Sequence, residues 1–178
     1  MKKLLIFSDM DGTIDRASAD DFVNFFELVY KYCEEKGYDD FSFNIVTGAF
    51  DNCRDLYREV FSYVKNKTGR DIKYDVFTRL KPEEKKDAID YWVSFDAIPK
   101  DYEEEVPDSF LMAKEVIFFD DRPHESLRGN NGKEFFESKY DISFECVVPT
   151  RNIYSLIDYF SQQLTSGDKK GPYVKNNS

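Results

Sequence analysis

Two pairs of carboxylates carry the chemistry this sequence suggests: Asp9 and Asp11, in Ser8-Asp9-Met10-Asp11-Gly12-Thr13, and the adjacent Asp120-Asp121. Each follows an apolar run, Leu4 to Phe7 in the first case and Val116 to Phe119 in the second. Carboxylates gathered at strand ends repel one another, and a hard cation with oxygen ligands is the usual relief. Four such groups brought together therefore imply bound Mg²⁺. An Asp-Gly pair alone is an ordinary turn, and an aspartate after a strand is often a helix cap. It is the repetition of the pattern that turns the reading toward chemistry. A calcium loop does not fit, because Gly12 is the fourth residue from Asp9 rather than the sixth, and no helix precedes it.

The elements that must position these residues can be read from the hydrophobic pattern. Residues 3–8 form a short apolar run of the kind buried on both faces of a parallel sheet. A helix then starts at Asp20-Asp21, carries Phe22, Phe25, Phe26, Val29 and Tyr30, and ends near Gly37. A second strand runs from Phe41 to Thr47, closed by Gly48, and a helix carrying Leu56, Val60, Phe61 and Val64 stops before Thr68-Gly69. Ile72 to Phe77 reads as a weaker third strand, and Pro82 opens a helix through Trp92. Asp96 to Pro107 is acidic and holds two prolines, so it reads as an irregular insertion. Val116 to Phe119 is the fourth strand and Phe144 to Val148 the fifth, followed by a helix from Asn152 to Gln163. Strands alternating with helices predict an α/β sandwich on a parallel sheet, in which ligands sit beyond the carboxyl ends of the strands. Asp9, Asp11, Thr47, Asp120 and Asp121 all fall there.

The bulk properties bound the rest. At 178 residues with 41% hydrophobic content, the chain reads as one domain over residues 1–164 with a polar flexible tail over 165–178. A net charge of −10 disfavours an extended grip on nucleic acid or anionic lipid. Three separated cysteines without a C-x-x-C pair fit reduced thiols, and a cytoplasmic location is expected. The opening apolar run is too short for a signal peptide, and no stretch is long enough to span a membrane.

With those residues in place, the resemblance to the haloacid dehalogenase (HAD) superfamily is plain. Phe7 to Thr13 resembles its first motif, Ile45-Val46-Thr47-Gly48 its second, and Phe118-Phe119-Asp120-Asp121 its fourth, in the same order across residues 1–150. The resemblance implies a three-layer Rossmann-like fold with strand order 3-2-1-4-5 and a magnesium-dependent phosphoric monoester hydrolase. Asp9 would be the nucleophile that becomes an aspartyl-phosphate, and Asp11 the general acid and base. Thr47 would bind phosphoryl oxygens. Asp121, Asp120, Asp9 and the main-chain carbonyl of Asp11 would hold Mg²⁺. The family's third motif is a lysine. Lys81, before Pro82, resembles it best, with Lys100 and Lys114 as competitors.

Between Asp11 and Thr47 there is room for one helix but no cap domain, so the resemblance is to capless or minimally capped members with open sites. Their substrates include nucleotides, nucleic-acid ends, phosphoproteins and small phosphoesters, and a partner or the insertion 96–113 would be the means of covering the site. Asp121-Arg122 also resembles, more weakly, the fourth motif of polynucleotide 3′-phosphatases. Arg54, Arg122, His124 and Arg128 are candidate contacts to an anionic substrate. Two other classes fit part of the pattern: an inactive phosphate-binding module of HAD type, and a phospho-accepting signalling domain, whose acidic pair would come early and whose phosphorylated aspartate would stand alone in mid-chain.

Overall fold

The computed structural model describes residues 1–128 and 132–164. Five strands form one sheet: β1 (Lys2–Ser8), β2 (Asp40–Val46), β3 (Tyr74–Phe77), β4 (Met112–Phe119) and β5 (Ser143–Val147). Every neighbouring pair is parallel, and the order across the sheet is β3-β2-β1-β4-β5. This is the expected Rossmann-like arrangement. The tail expected over 165–178 lies outside the described residues.

Helices cover both faces. On one side lie α1 (Ala19–Lys36), α2 (Cys53–Thr68) and α6 (Ile153–Gln163); on the other lie α3 (Lys85–Asp96) and α5 (Gly132–Lys139), with a single turn, α4 (Pro123–Ser126), after β4. The central strand shows why both faces need cover. Leu4 and Ile6 pack with the α1 side, Leu5 and Phe7 with the α3 side, and all four are fully buried. Such a strand reads as a continuous apolar run instead of alternating.

Local signals set the boundaries. Ser18 caps α1 in a reciprocal box with Asp21, and Gly37 ends it at φ 76°, a left-handed turn that glycine adopts without steric cost. The α1 face against the sheet is aromatic, with Phe22, Phe25 and Phe26 each meeting Phe43 of β2 edge to face. The third strand is shorter than its sequence implied, starting at Tyr74. The helix expected from Pro82 is a 3₁₀ turn over Pro82–Glu84 before α3 begins at Lys85. The fourth strand is longer, starting at Met112. Its pairing with β1 slips between Lys3 and Leu4, which leaves Lys114 as an extra residue, and that polar start hides the strand from an apolar reading.

The stretch 97–111 is irregular as expected, but it lies at the far end of the sheet from the acidic residues. Helix α3 starts at the carboxyl end of the strands and descends, so that Asp96 at its foot meets Lys3 Nζ at 3.2 Å near the start of β1. The segment that follows pairs with the chain's beginning, where Met112 N–H donates to Met1 O at 3.0 Å. It does not cover the site. No helix among the described residues is long and apolar enough to cross a membrane.

Candidate active site

The parallel ladder continues one residue past β1 and β4 into the acids. The Asp9 N–H donates to Phe119 O at 2.8 Å, and the Asp120 N–H to Val147 O at 3.1 Å. Asp9 and Asp120 are 6% and 2% exposed, so both carboxylates are withdrawn from bulk water. One oxygen each of Asp9, Asp120 and Asp121 lie within 4.8 Å of one another. That is an oxygen-only donor set of like charges, which suits a hard divalent cation. Three carboxylates so close without a counter-charge would be unstable.

Part of that counter-charge comes from a lysine, and it is not the one the sequence suggested. Lys85 Nζ donates to Asp9 Oδ1 at 2.8 Å, and both side chains are 9% exposed. The Met10 N–H donates to the same oxygen at 2.9 Å, so the Asp9 carboxylate is held from two directions. Burial pushes the Asp9 carboxyl up to about 7, against the downward pull of Lys85, while the nearby Asp120 adds to the rise.

Lys81 is exposed, and its backbone N–H donates to Glu84 Oε1 at 2.9 Å to cap the 3₁₀ turn. The competitors are engaged elsewhere: Lys100 Nζ donates to Glu137 O and Lys114 Nζ to Asp141 Oδ2. The misplacement has a simple cause. The Lys-Pro step starts the 3₁₀ turn, and the following α-helix begins four residues later. A signal for Lys85 was present: it lies four and eight residues before Ile89 and Val93, the buried stripe of α3. A lysine on the core-facing stripe of a helix must meet a buried acid or other partner.

Gly12 holds the turn that brings the first motif to the fourth. It sits at φ +77°, and a Cβ placed there would meet Asp121 Oδ2 at 2.4 Å. The chain folds tightly around it, with the N–H groups of Thr13, Ile14 and Asp15 all directed to Met10 O at 2.9–3.2 Å. Asp11, on this turn, is exposed and stands outside the acidic trio, but it lines the same cavity of about 460 Å³ as Asp9, Gly12, Lys85, Asp121 and Arg122. Asp120 is fixed by the Arg122 N–H at 2.9 Å and by the Ser126 hydroxyl, a residue that sequence reasoning missed.

Thr47 stands at the end of β2 and is 1% exposed; its Oγ1 accepts the Ala49 N–H at 3.1 Å, and its neighbour Gly48 lines the cavity. Of the candidate anion contacts, Arg122 reaches the cavity wall. Arg128 is turned to Glu83 O at 3.1 Å, Arg54 lies 4.0 Å from Asp75, and His124 is exposed on α4.

The fold and site together define an α/β Rossmann-like protein with a lysine-braced acidic centre at the carboxyl edge of its sheet. No known family profile matches the chain, and no curated protein matches it in sequence. Among solved structures it is similar to the HAD domain of the effector protein Lem4 from Legionella pneumophila, an inactive mutant. The identity there is 15% and the TM-score 0.46, over 99% of both chains. The likeness is distant, and the site stands on this chain's own geometry.

Proposed function

We propose that this protein is a phosphatase of HAD type that cleaves phosphate monoesters through an aspartyl-phosphate on Asp9, with Mg²⁺ as cofactor. The observation that carries the reading is the buried Lys85–Asp9 pair beside Asp120 and Asp121, with Asp9, Lys85 and Asp121 lining one cavity. An ion pair in that position serves a reaction in which a carboxylate must meet an anionic phosphate.

Asp9, Asp120 and Asp121 would hold the cation, with the Asp11 carbonyl beside them; bound there, Mg²⁺ would neutralise charge between the nucleophile and the incoming phosphate. The bonds from Lys85 and the Met10 N–H fix the orientation of the Asp9 carboxylate, so its attack on phosphorus needs little reorganisation. Thr47 Oγ1 accepts the Ala49 N–H and keeps its own proton to donate to a phosphoryl oxygen. Lys85 adds a positive charge to the same oxygens. Asp11, exposed on the cavity wall, gives its proton to the leaving oxygen. It then takes one from the water that attacks the aspartyl-phosphate, releasing orthophosphate and restoring Asp9. The substrate reaches an open site, since one helix and a turn are all that separate β1 from β2.

The test is hydrolysis of p-nitrophenyl phosphate with Mg²⁺ and with EDTA, by the wild-type protein and by Asp9→Asn. Metal-dependent turnover that the variant loses supports the reading. Full turnover by Asp9→Asn would remove Asp9 as the nucleophile, and full turnover by Asp11→Asn would remove Asp11 as the acid and base.

A further inference from the structure

One rim of the cavity leads to an exposed aromatic ring. The loop after β2 and the loop after β3 lie side by side: the Arg79 N–H donates to Ala49 O at 2.8 Å and the Leu80 N–H to Thr47 O at 3.0 Å. Gly48 and Leu80 line the cavity from this rim. Two residues beyond Gly48 stands Phe50, 70% exposed, more than any other large hydrophobic residue described. The Arg79 guanidinium lies over its ring, 5.5 Å from the centroid. Asp51 secures the arrangement, since it accepts the Thr78 hydroxyl and lies 3.6 Å from Arg79 Nε.

Arg79 also holds a φ of +59°, which an ordinary side chain adopts only under local constraint. An exposed ring and a strained backbone are both unfavourable, and here neighbouring side chains maintain the two together. Non-glycine residues kept in such conformations cluster at ligand clamps and active sites. An exposed aromatic ring is normal where it stands alone; this one is backed by a cation that an acid holds in turn, on a loop whose Gly48, two residues away, lines the cavity.

We propose that Phe50, backed by Arg79, is the platform for the leaving group and selects phosphate esters that carry a flat aromatic ring. The inference rests on the reading that phosphate is bound at Asp9. With the phosphate held there, the rest of the ester must leave past a cavity wall, and the Gly48–Leu80 rim is one of them. Arg79 engages the Phe50 ring, and the ring's remaining exposed surface is available to stack on another π system. A nucleobase and a small aryl group share this chemistry, since each offers a face to an aromatic side chain. One stacked ring is worth about tenfold in affinity.

The experiment compares kcat/KM for phenyl phosphate, a nucleoside 5′-monophosphate and glycerol phosphate in the wild type, Phe50→Leu and Phe50→Trp. The expected result is an aromatic-to-glycerol ratio that falls about tenfold in Phe50→Leu and is kept in Phe50→Trp. A fall for phenyl phosphate alone identifies an aryl leaving group, and a fall for the nucleotide alone identifies a nucleobase; either supports the platform. An unchanged ratio overturns it. Calorimetric binding of the same three esters to Asp9→Asn, with and without Phe50→Leu, separates the two readings. If the wild type hydrolyses none of them, the phosphatase reading fails, yet tighter binding of ringed esters that depends on Phe50 still supports the platform. Binding that ignores the ring, or no binding at all, overturns it.

Discussion

Replacing Lys85 by methionine deletes the ammonium that meets Asp9 Oδ1 at 2.8 Å and keeps a side chain of similar length. Both partners are 9% exposed, so water restores little of what is lost. At that separation and an effective dielectric of about 20, the direct attraction is roughly 6 kcal/mol. Part of it offsets desolvation, and removing one member of a buried pair costs about 3–5 kcal/mol. Asp9 has an escape, because burial has already pushed its carboxyl up to about 7 despite the lysine. Without Lys85 it rises further, and Asp9 takes up a proton at neutral pH. A carboxyl raised in the fold loses stability as pH increases toward its folded value. The deficit of Lys85→Met should therefore be small at pH 6 and approach the full cost at pH 8.5. Urea unfolding in EDTA of the wild type, Lys85→Met, Asp9→Asn and the double variant measures this directly. The double variant is expected to recover about 1–3 kcal/mol relative to the sum of the singles. Turnover of Lys85→Met is expected to fall by about 10²–10³, the usual loss for one preorganised donor. The reasoning is refuted if the single effects add within about 0.5 kcal/mol, or if Lys81→Met loses as much turnover as Lys85→Met.

Three more outcomes follow from other parts of the structure. Gly12→Ala should weaken Mg²⁺ binding, because its Cβ would meet Asp121 Oδ2 at 2.4 Å and its φ is +77°; a Mg²⁺ titration of turnover should show a half-saturation point raised about tenfold or more, the order of loss seen when a metal ligand's support is disturbed. With its carboxyl at about 7 by burial, metal-free Asp9 holds a proton between the unfolded value of 3.8 and that point, so apo stability falls as pH rises through this window. Mg²⁺ must displace that proton, and its stabilisation in thermal melts should be large at pH 8 and nearly absent at pH 5.5; equal shifts at both would contradict the assignment of Asp9 as a ligand. Tyr32→Phe removes the 2.6 Å hydrogen bond to Glu115 Oε1, which also accepts from Tyr38, and should cost about 1–2 kcal/mol in urea unfolding with turnover unchanged.

Much of the fold was legible because its strands are buried on both faces. Leu4 to Phe7 and Val116 to Phe119 are all fully buried, and short apolar runs of that length, alternating with helical patterns, read as parallel strands. The acids at their ends were legible for the same reason, since an apolar run fixes where the strand stops. What escaped was set by local geometry that composition does not show. The 3₁₀ turn at Pro82–Glu84 moved the α-helix start from Pro82 to Lys85, and with it the buried lysine from Lys81 to Lys85. The register slip beside Lys114 disguised the first half of β4. Helix α5 is eight residues long and buries chiefly Phe136, too short a pattern to display its period. Phe50 and Arg79 belong to two loops that meet only in the folded chain, by the bond from the Arg79 N–H to Ala49 O.

The hydrogen bonds that carry the ladder into Asp9 and Asp120 make the sheet a gauge for the site. Ser8 pairs with Phe119, so the two acids that follow are opposite one another on adjacent strands. Their separation is then governed by the interstrand pitch, about 4.8 Å, a constant of peptide geometry. Chain added to the connections, whether in 97–111 or elsewhere, lengthens a detour without stretching the gauge. The spacing of Asp9 and Asp120 is in this way insulated from the parts of the molecule most free to change, and a rim loop such as the one bearing Phe50 can be exchanged while these two acids keep their separation.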